Sequence, residues 1–472
     1  MKAGVLALLL TSTIAVVTKV ENQQVQQKPT KFLQTSNEGL AVSTLSQTSS
    51  KRIVSYNGNN FDDDTENPFA DFIIGIILIC FSFPILWNNE RKQVRIAALL
   101  IEGEKNVVDC QDYKQPETSQ DMKLIYASGQ TQSDSVIVDE HFGVQISNSV
   151  KLIRSVEMFQ WVEHKKSSNN RTETSYTKEW KNHIVNSSAF RDPYHQNPHF
   201  MPFDSKTTVA EKVDFGGYVL APSQISKINT SKTLGLTNDQ VKLAQEKQQN
   251  YLNDHSYEAP KESGGSLLIS LKKNNGVTDI GDVKVTFSYI PCGPTTIVAQ
   301  QICDKDNFTF RQWNPKKVAL PITQNNYPDQ EVVCLMCACC PCATIVDQMF
   351  QSMFKETIEF VEEQPISKVD LFKKKSQEND MTTVYIRIGG WFLMYAGICL
   401  LFSPIIYTLS WIPLVGFLMA HGFKLIVAIF AFVVSVTLSS LTIGIAWLYY
   451  RPLYGAAFLG IVGVGLALIF LV

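Results

Sequence analysis

Residues 388–472 read IGGWFLMYAGICLLFSPIIYTLSWIPLVGFLMAHGFKLIVAIFAFVVSVTLSSLTIGIAWLYYRPLYGAAFLGIVGVGLALIFLV, and this stretch decides the fold. Across its 85 residues the only formal charges are Lys424 and Arg451, and there is no acid. A bilayer core about 30 Å thick needs about 20 apolar residues in a helix. The stretch divides into three such segments, 388–407, 425–450 and 452–472. A soluble protein would need a very large body to cover three near-continuous apolar runs. The spans therefore belong in lipid. Trp391, Tyr407, Trp411, Trp447, Tyr449 and Tyr450 sit near their ends, where amphipathic rings favour the membrane–water interface. Arg451-Pro452 leaves almost no room between the last two spans. A tight antiparallel hairpin follows, with Arg451 snorkelling to the headgroups. Gly455, Ala456, Gly460, Gly463 and Gly465 offer small residues for close helix contact on the last span.

Working towards the N-terminus, one more segment qualifies. Residues 69–87 are apolar, flanked by Asp71 and Arg91 and interrupted by Pro84. Before it, residues 19–68 are rich in Gln, Asn, Ser and Thr and hold too little apolar surface to fold. Residues 1–18 form a signal-like or apolar N-terminal segment, with Lys2 ahead of a short hydrophobic run. The whole chain has 472 residues, with 42 Lys+Arg against 44 Asp+Glu. That near-neutral balance argues against an electrostatic nucleic-acid binder.

Residues 88–386 are too long for a loop and carry strand patterns. Val283, Val285, Phe287 and Tyr289 alternate with Lys284, Thr286 and Ser288, the period of a half-buried strand. Pro291-Cys292-Gly293-Pro294 reads as a turn, and 295–302 as the strand returning from it. Residues 156–162 predict a second strand that pairs with 173–180 across a polar loop. Weaker strand or helix signals occur at 96–103 and 136–138. Residues 237–251 predict a helix capped by Thr237 or Asn238. The expected fold is a multi-pass α-helical membrane protein of about four spans. Between spans one and two it carries a large mixed α+β, antiparallel-strand-containing extramembrane domain.

No catalytic pattern stands out: there is no Gly-rich phosphate loop, GxSxG or HExxH. His195 and His199 have i,i+4 spacing, but Pro193 and Pro198 favour a turn over a ligand-bearing helix. No enzyme, metal site or cofactor is expected. Cys334, Cys337, Cys339, Cys340 and Cys342 form a cluster with three readings. Zinc suits CxxC but lacks a second half-site. Disulfides, perhaps reaching Cys292 or Cys303, fit an oxidising lumen. S-acylation fits an apolar stretch leading into an amphipathic helix, whose apolar face (Ile345, Val346, Met349, Phe350) packs on a core or a membrane. Asn170, Asn186, Asn229 and Asn307 head N-glycosylation sequons.

Several motifs together resemble one family. They are Asn89-Glu90-Arg91, Glu102-Gly103 and SVEMFQWVE at 155–163, close to that family's VEMYQWVE. Next come Tyr176, Glu179-Trp180 and Asn186-Ser187 with Phe190. His195-Gln196-Asn197-Pro198 is similar to its H-x-N-P, and GDVKVTFSY at 281–289 to its GDxRVxFSY. Tyr449-Tyr450-Arg451-Pro452-Leu453 is similar to its FYRPL junction. Over residues 70–472 the chain resembles the transmembrane protein 43 (LUMA) family. The N-terminal extension and the cysteine cluster depart from the family pattern. The resemblance implies a four-span protein of the endoplasmic reticulum and nuclear inner membrane with a luminal or perinuclear domain. It implies self-association into a homo-oligomer and contacts with lamin- or emerin-like nuclear-envelope proteins, and carries no catalytic residue.

Sidedness is contested by the charges. Arg91, Lys92, Arg95, Lys373, Arg387 and Arg451 would share the large domain's side, which the positive-inside rule puts in the cytosol. The resemblance puts it in the lumen, and that placement is expected, with the first segment uncleaved. The expected function is a non-enzymatic membrane scaffold of the nuclear envelope. The alternative is a transporter, channel or lipid-handling protein, which would need a polar cavity lined by Thr437, Ser439, Ser440 and Thr442.

Overall fold

A computed structural model describes residues 68–168, 171–274, 277–305, 307–315, 342–411, 416–457 and 460. Residues 1–67 and most of 452–472 lie outside this set. So do Cys334, Cys337, Cys339, Cys340 and Asn170.

Among the described residues, three helices are long and apolar enough to cross a membrane; the expected fourth span, 452–472, lies mostly outside them. Helix α1 is Pro68–Asn106, with Pro68 at its start and Asp71 in its first turn, both favourable there. It does not stop at Trp87. Residues 88–106 continue the helix by about 28 Å beyond the apolar segment. The weak 96–103 signal is part of this extension. Between α1 and the second spanning helix lie α2 (Pro222–Ile225), α3 (Asn238–Asp254) and α4 (Cys342–Met353). The second spanning helix is α5 (Lys368–Leu401), started by Ser367, whose hydroxyl accepts from the Asp370 N–H at 3.2 Å. It breaks at Phe402 because Pro404 lacks a donor, and resumes as α6 (Ser403–Ser410). The third is α7 (Gly416–Tyr450).

Helices α1 and α5 run antiparallel along their whole lengths. Gly75 faces Gly397, Leu86 faces Gly390, and Gly103 faces Phe372. At the first pair the backbones touch. A Cβ on Gly75 would sit 2.7 Å from the Gly397 carbonyl oxygen, and one on Gly397 2.9 Å from that of Gly75. In lipid, association rests on such close packing, because tails are as apolar as leucine. Most of the last span, with Gly463 and Gly465, lies outside the described residues. Gly397→Val is expected to destabilise the bundle by about 1–3 kcal/mol through overpacking. SDS titration in mixed micelles would read this. Gly389→Ala, in open space on the same helix, should be neutral or slightly stabilising.

The domain above has two main sheets. The first contains β1 (Val108–Asp109), β2 (Leu124–Gln132), β8 (Asp214–Phe215), β9 (Tyr218–Val219), β14 (Pro294–Asp304), β15 (Asn307–Arg311) and β16 (Phe360–Glu362). Pairings run β2–β8–β9–β15–β14 and back to β2, closing a small barrel. Tyr218 stacks on Phe310 at 4.5 Å and Phe215 packs beside both. The contacts of β1 with β2 and of β9 with β15 are parallel, so this sheet is mixed.

The second sheet contains β5 (Ser149–Ser168), β6 (Arg171–Lys181), β11 (Lys261–Ser263), β12 (Ser266–Ile269) and β13 (Val283–Pro291), in the order β11-β12-β13-β5-β6. Short β7 (Lys206–Val209) and β10 (Lys232–Thr233) add to β5 and β13, while β3 (Ile137–Val138) and β4 (Gln145–Ile146) form a separate hairpin. Val283, Val285 and Phe287 are fully buried, as their alternation predicts, and each contributes about 1.5–3 kcal/mol of apolar burial. The predicted pairing of 156–162 with 173–180 is the β5–β6 hairpin, a long arm at the sheet's edge. The predicted helix is α3, capped by Thr237 in a reciprocal capping box with Gln240.

One local expectation fails. The segment 295–302 does not return along β13. It crosses to the barrel as β14 and pairs with β2. Pro291 and Pro294 lack the N–H groups a hairpin turn would use. Gly293 instead accepts the Thr131 N–H at 2.9 Å, which commits the chain to the other sheet.

The top of the α1–α5 stalk enters the barrel's base. Leu99, Leu100, Leu371 and Phe372 pack with Leu124 and Val298. The β domain and the spans are thereby joined through packed side chains rather than through a linker.

Candidate functional site

Two clusters collect the unusual residues. The first lies on the β5–β6 arm and gathers most of the motif residues. Glu163 accepts the Tyr176 hydroxyl at 2.8 Å and the Arg191 N–H at 2.7 Å. The Tyr176 ring stacks on His195 at 4.1 Å, and Trp161 meets the same imidazole edge-on at 4.4 Å. Asn197 accepts the Trp161 N–H at 2.7 Å and donates to the Trp161 and Val185 carbonyls at 2.9 and 3.1 Å. Burial alone would raise the Glu163 pKa. The Arg191 N–H, the Tyr176 hydroxyl and Lys165 outweigh it, so the carboxyl lies below its ordinary value. Burial, then the bond to Glu163, pushes Tyr176 up to about 12. Glu163 and Tyr176 hold each other and the Arg191 and Asp192 N–H groups, while Asn197 ties Val185 to Trp161, so both bind the 182–199 loop to the arm.

His195 is accordingly a packed ring 3.0 Å from Asp192. Among the described residues no group of three or more His, Cys, Asp or Glu side chains is placed to hold a metal ion.

The second cluster sits where α1 leaves the apolar segment. Asn88, Asn89, Glu90, Arg91, Lys92 and Gln93 are all at least nine-tenths buried, an unusual run for six polar residues. Three other helices converge on them. Arg387 of α5 makes a bidentate pair with Glu90, Nε to Oε1 at 2.7 Å and Nη2 to Oε2 at 2.8 Å. Trp447 of α7 donates its indole N–H to the same carboxylate at 2.7 Å. Asn89 donates to the Thr383 carbonyl, Gln93 to Asp380, and Asn379 to the Gln93 carbonyl. Arg91 pairs with Asp347 of α4. Reading Trp447 as a ring floating at the interface missed its role, because a carboxylate from a distant helix takes its N–H. Arg451 does not simply snorkel outwards either. It is half-buried and lies in the field of Glu90 and Asp380.

The other sequence candidates divide plainly. Cys342 begins α4, while the rest of its cluster lies outside the described residues. Cys292 and Cys303 are free thiols, and burial pushes Cys292 up to about 11. Asn186, Asn229 and Asn307 are all exposed. Among the hydroxyls expected to line a pathway, Thr437 and Thr442 bond back to their own helix at 2.8 Å, and Ser439 points at the Met394 sulfur at 3.5 Å. The α4 helix buries Ala343, Val346 and Phe350 but exposes Ile345, Met349 and Met353.

Comparison with known proteins follows the same residues. The profile of the family described as Transmembrane protein 43 matches residues 158–452. Mouse Transmembrane protein 43 is 26% identical over 434 residues, covering 88% of this chain and 93% of the mouse protein. The human protein is 26% identical over 408 residues, covering 82% and 86%. A Drosophila melanogaster homolog is 25% identical over 232 residues, covering 46% and 56%. No solved structure matches. With the family profile matching more than half of its residues and relatives aligned over most of its length, this chain belongs to the Transmembrane protein 43 family.

Proposed function

We propose that this protein is a non-enzymatic scaffold of the endoplasmic reticulum and nuclear inner membrane. It acts by self-association and by holding protein partners, lamin- or emerin-like where the organism has them. One observation carries the reading. The arm cluster, where the motif residues concentrate, commits the side chains of Glu163, Tyr176 and Asn197 to one another and to the backbone of the arm and its loop. What these residues maintain is a shape, a β platform raised on a helical stalk and bearing a long arm. A shape-keeping site suits a binding platform better than a turnover site.

The transport reading finds no support in Thr437, Ser439 and Thr442, whose hydroxyls bond within the bundle. The scaffold reading is tested by crosslinking the full-length protein in native membranes. Dimers and higher species are expected, and monomer alone at every crosslinker dose would overturn self-association. The luminal placement belongs to the same reading. Glycosidase treatment should shift the protein's mobility through one or more of Asn170, Asn186, Asn229 and Asn307, with the domain protected from protease in intact microsomes.

A further inference from the structure

A cleft of about 260 Å³ opens between α1 and α4, lined by Asn88, Arg91, Lys92, Arg95, Phe350 and Glu356 among others. Its charges do not balance. Arg91 is paired with Asp347, and Arg95 with Glu356 at 3.0 Å. Lys92 is only 7% exposed, yet it makes no hydrogen bond or ion pair among the described residues. Its ammonium rests 4.6 Å over the Phe354 ring, on the cleft wall. The lining and its direct partners therefore leave one positive charge without an ion pair; the carboxylates of Asp380 and Glu90 act on Lys92 only from a distance, and burial outweighs them. A buried cation with no carboxylate in contact is costly, and a site that keeps one is suited to an anion.

The depth of the cleft identifies the anion's source. Trp87 packs with Tyr449, Tyr450 and Ala343 where the apolar segment of α1 ends. Lys92 follows five residues later, about 7 Å further along the helix. The headgroup layer extends about 5–8 Å beyond the hydrocarbon core on each side. Helix α4 begins at that boundary and exposes Ile345 and Met353, each 56%, and Met349, 41%. These recur at every fourth residue, so they form one apolar edge. A cationic pocket beside an apolar edge, at headgroup depth, matches an amphiphile of net negative charge.

The geometry points to a specific site for an anionic phospholipid, with its headgroup phosphate on Lys92 and its apolar part along the Ile345–Met349 edge of α4. A zwitterionic headgroup brings its own cation beside the phosphate and leaves the site's net charge unchanged, so the site selects for net negative charge. This inference needs only the membrane reading and stands apart from the scaffold role.

Native mass spectrometry of the full-length protein from nanodiscs tests it. Discs of phosphatidylcholine alone are compared with discs that also contain phosphatidylserine. The wild type should retain one phosphatidylserine about five-fold more firmly than phosphatidylcholine, the effect of one basic residue near a membrane. Lys92→Gln should abolish the preference and Lys92→Arg restore part of it. The paired change Ile345→Ser with Met349→Ser touches only exposed positions, so it leaves the core intact. It should lower retention of either lipid. Equal retention of the two lipids by the wild type, or an unchanged preference in Lys92→Gln, overturns the proposal. Inorganic phosphate is added as a separate probe. If it displaces phosphatidylserine at millimolar concentration, the site belongs to a soluble anion and the lipid assignment fails.

Discussion

Glu90→Ala is expected to destabilise the membrane helix bundle by about 3–5 kcal/mol, the range for breaking a buried ion pair by removing one partner. The Glu90 side chain is 1% exposed and that of Arg387 17%. Its two oxygens take three donors, two from Arg387 and one from Trp447. Deleting the carboxylate strands a guanidinium and an indole N–H where water is scarce. It also leaves Arg451 beside Arg387 without the shared counter-charge. SDS titration in mixed micelles, followed by tryptophan fluorescence, measures the loss. The pair Glu90→Met with Arg387→Met should cost clearly less than the sum of the single changes, because no charge is then stranded. A Glu90→Ala effect within about 0.5 kcal/mol, as at an ordinary surface position, would remove the cluster from any structural role.

The second large effect is expected in the β domain. Arg154 is the largest fully buried side chain there. Its Nη1 donates to Asp139 at 2.6 Å, and its Nε to the Asp204 carbonyl at 2.9 Å. Both side chains of the pair are 2% exposed. The guanidinium also lies 5.7 Å from the Phe142 ring, so it joins the β3–β4 hairpin region to β5. Arg154→Met keeps the volume but strands Asp139, at a cost of about 3–5 kcal/mol. Urea unfolding of the full-length protein in micelles should show an earlier transition for the domain. Lys165→Met is the comparison. Lys165 is 57% exposed in its pair with Glu163, and its loss should cost less than about 1 kcal/mol.

The same two ion pairs show what the sequence made legible. Period-2 alternation is a local property, so β13 could be read from Val283 to Tyr289 alone. The cap on α3 is equally local, a threonine followed three residues later by glutamine. Apolar length marked the spans for the same reason. Arg154 and Glu90 carry no such local mark. A charged residue is read as solvated by default, and only contacts with Asp139 or Arg387, distant in sequence, make it internal. The run from Asn88 to Gln93 looked like the polar flank that ends a span. In the fold it is covered by α4, α5 and α7, each contributed by a later part of the chain. The crossing at Pro291–Pro294 was misread because a turn signal says that the chain bends, while the choice of neighbour depends on which edge offers partners. At the arm, the motifs were visible as words, but their convergence on Tyr176 and His195 required the hairpin register.

The antiparallel stalk has a consequence for how the chain can change. Val107 packs against Leu371 and Phe372, and Lys368 reaches Asp109 at 2.8 Å. The β domain therefore enters and leaves at nearly one point, as a guest inserted into a helical hairpin. To that hairpin the domain is a closed loop, and loop-closure entropy rises by only about 0.6 kcal/mol for each doubling of length. Growth within the guest should thus scarcely disturb the membrane pair. Lengthening the chain between β15 and α4 is therefore expected to leave the bundle's stability unchanged, because the hairpin's own contacts, from Gly75 against Gly397 to Glu90 against Arg387, do not depend on how much chain lies between them.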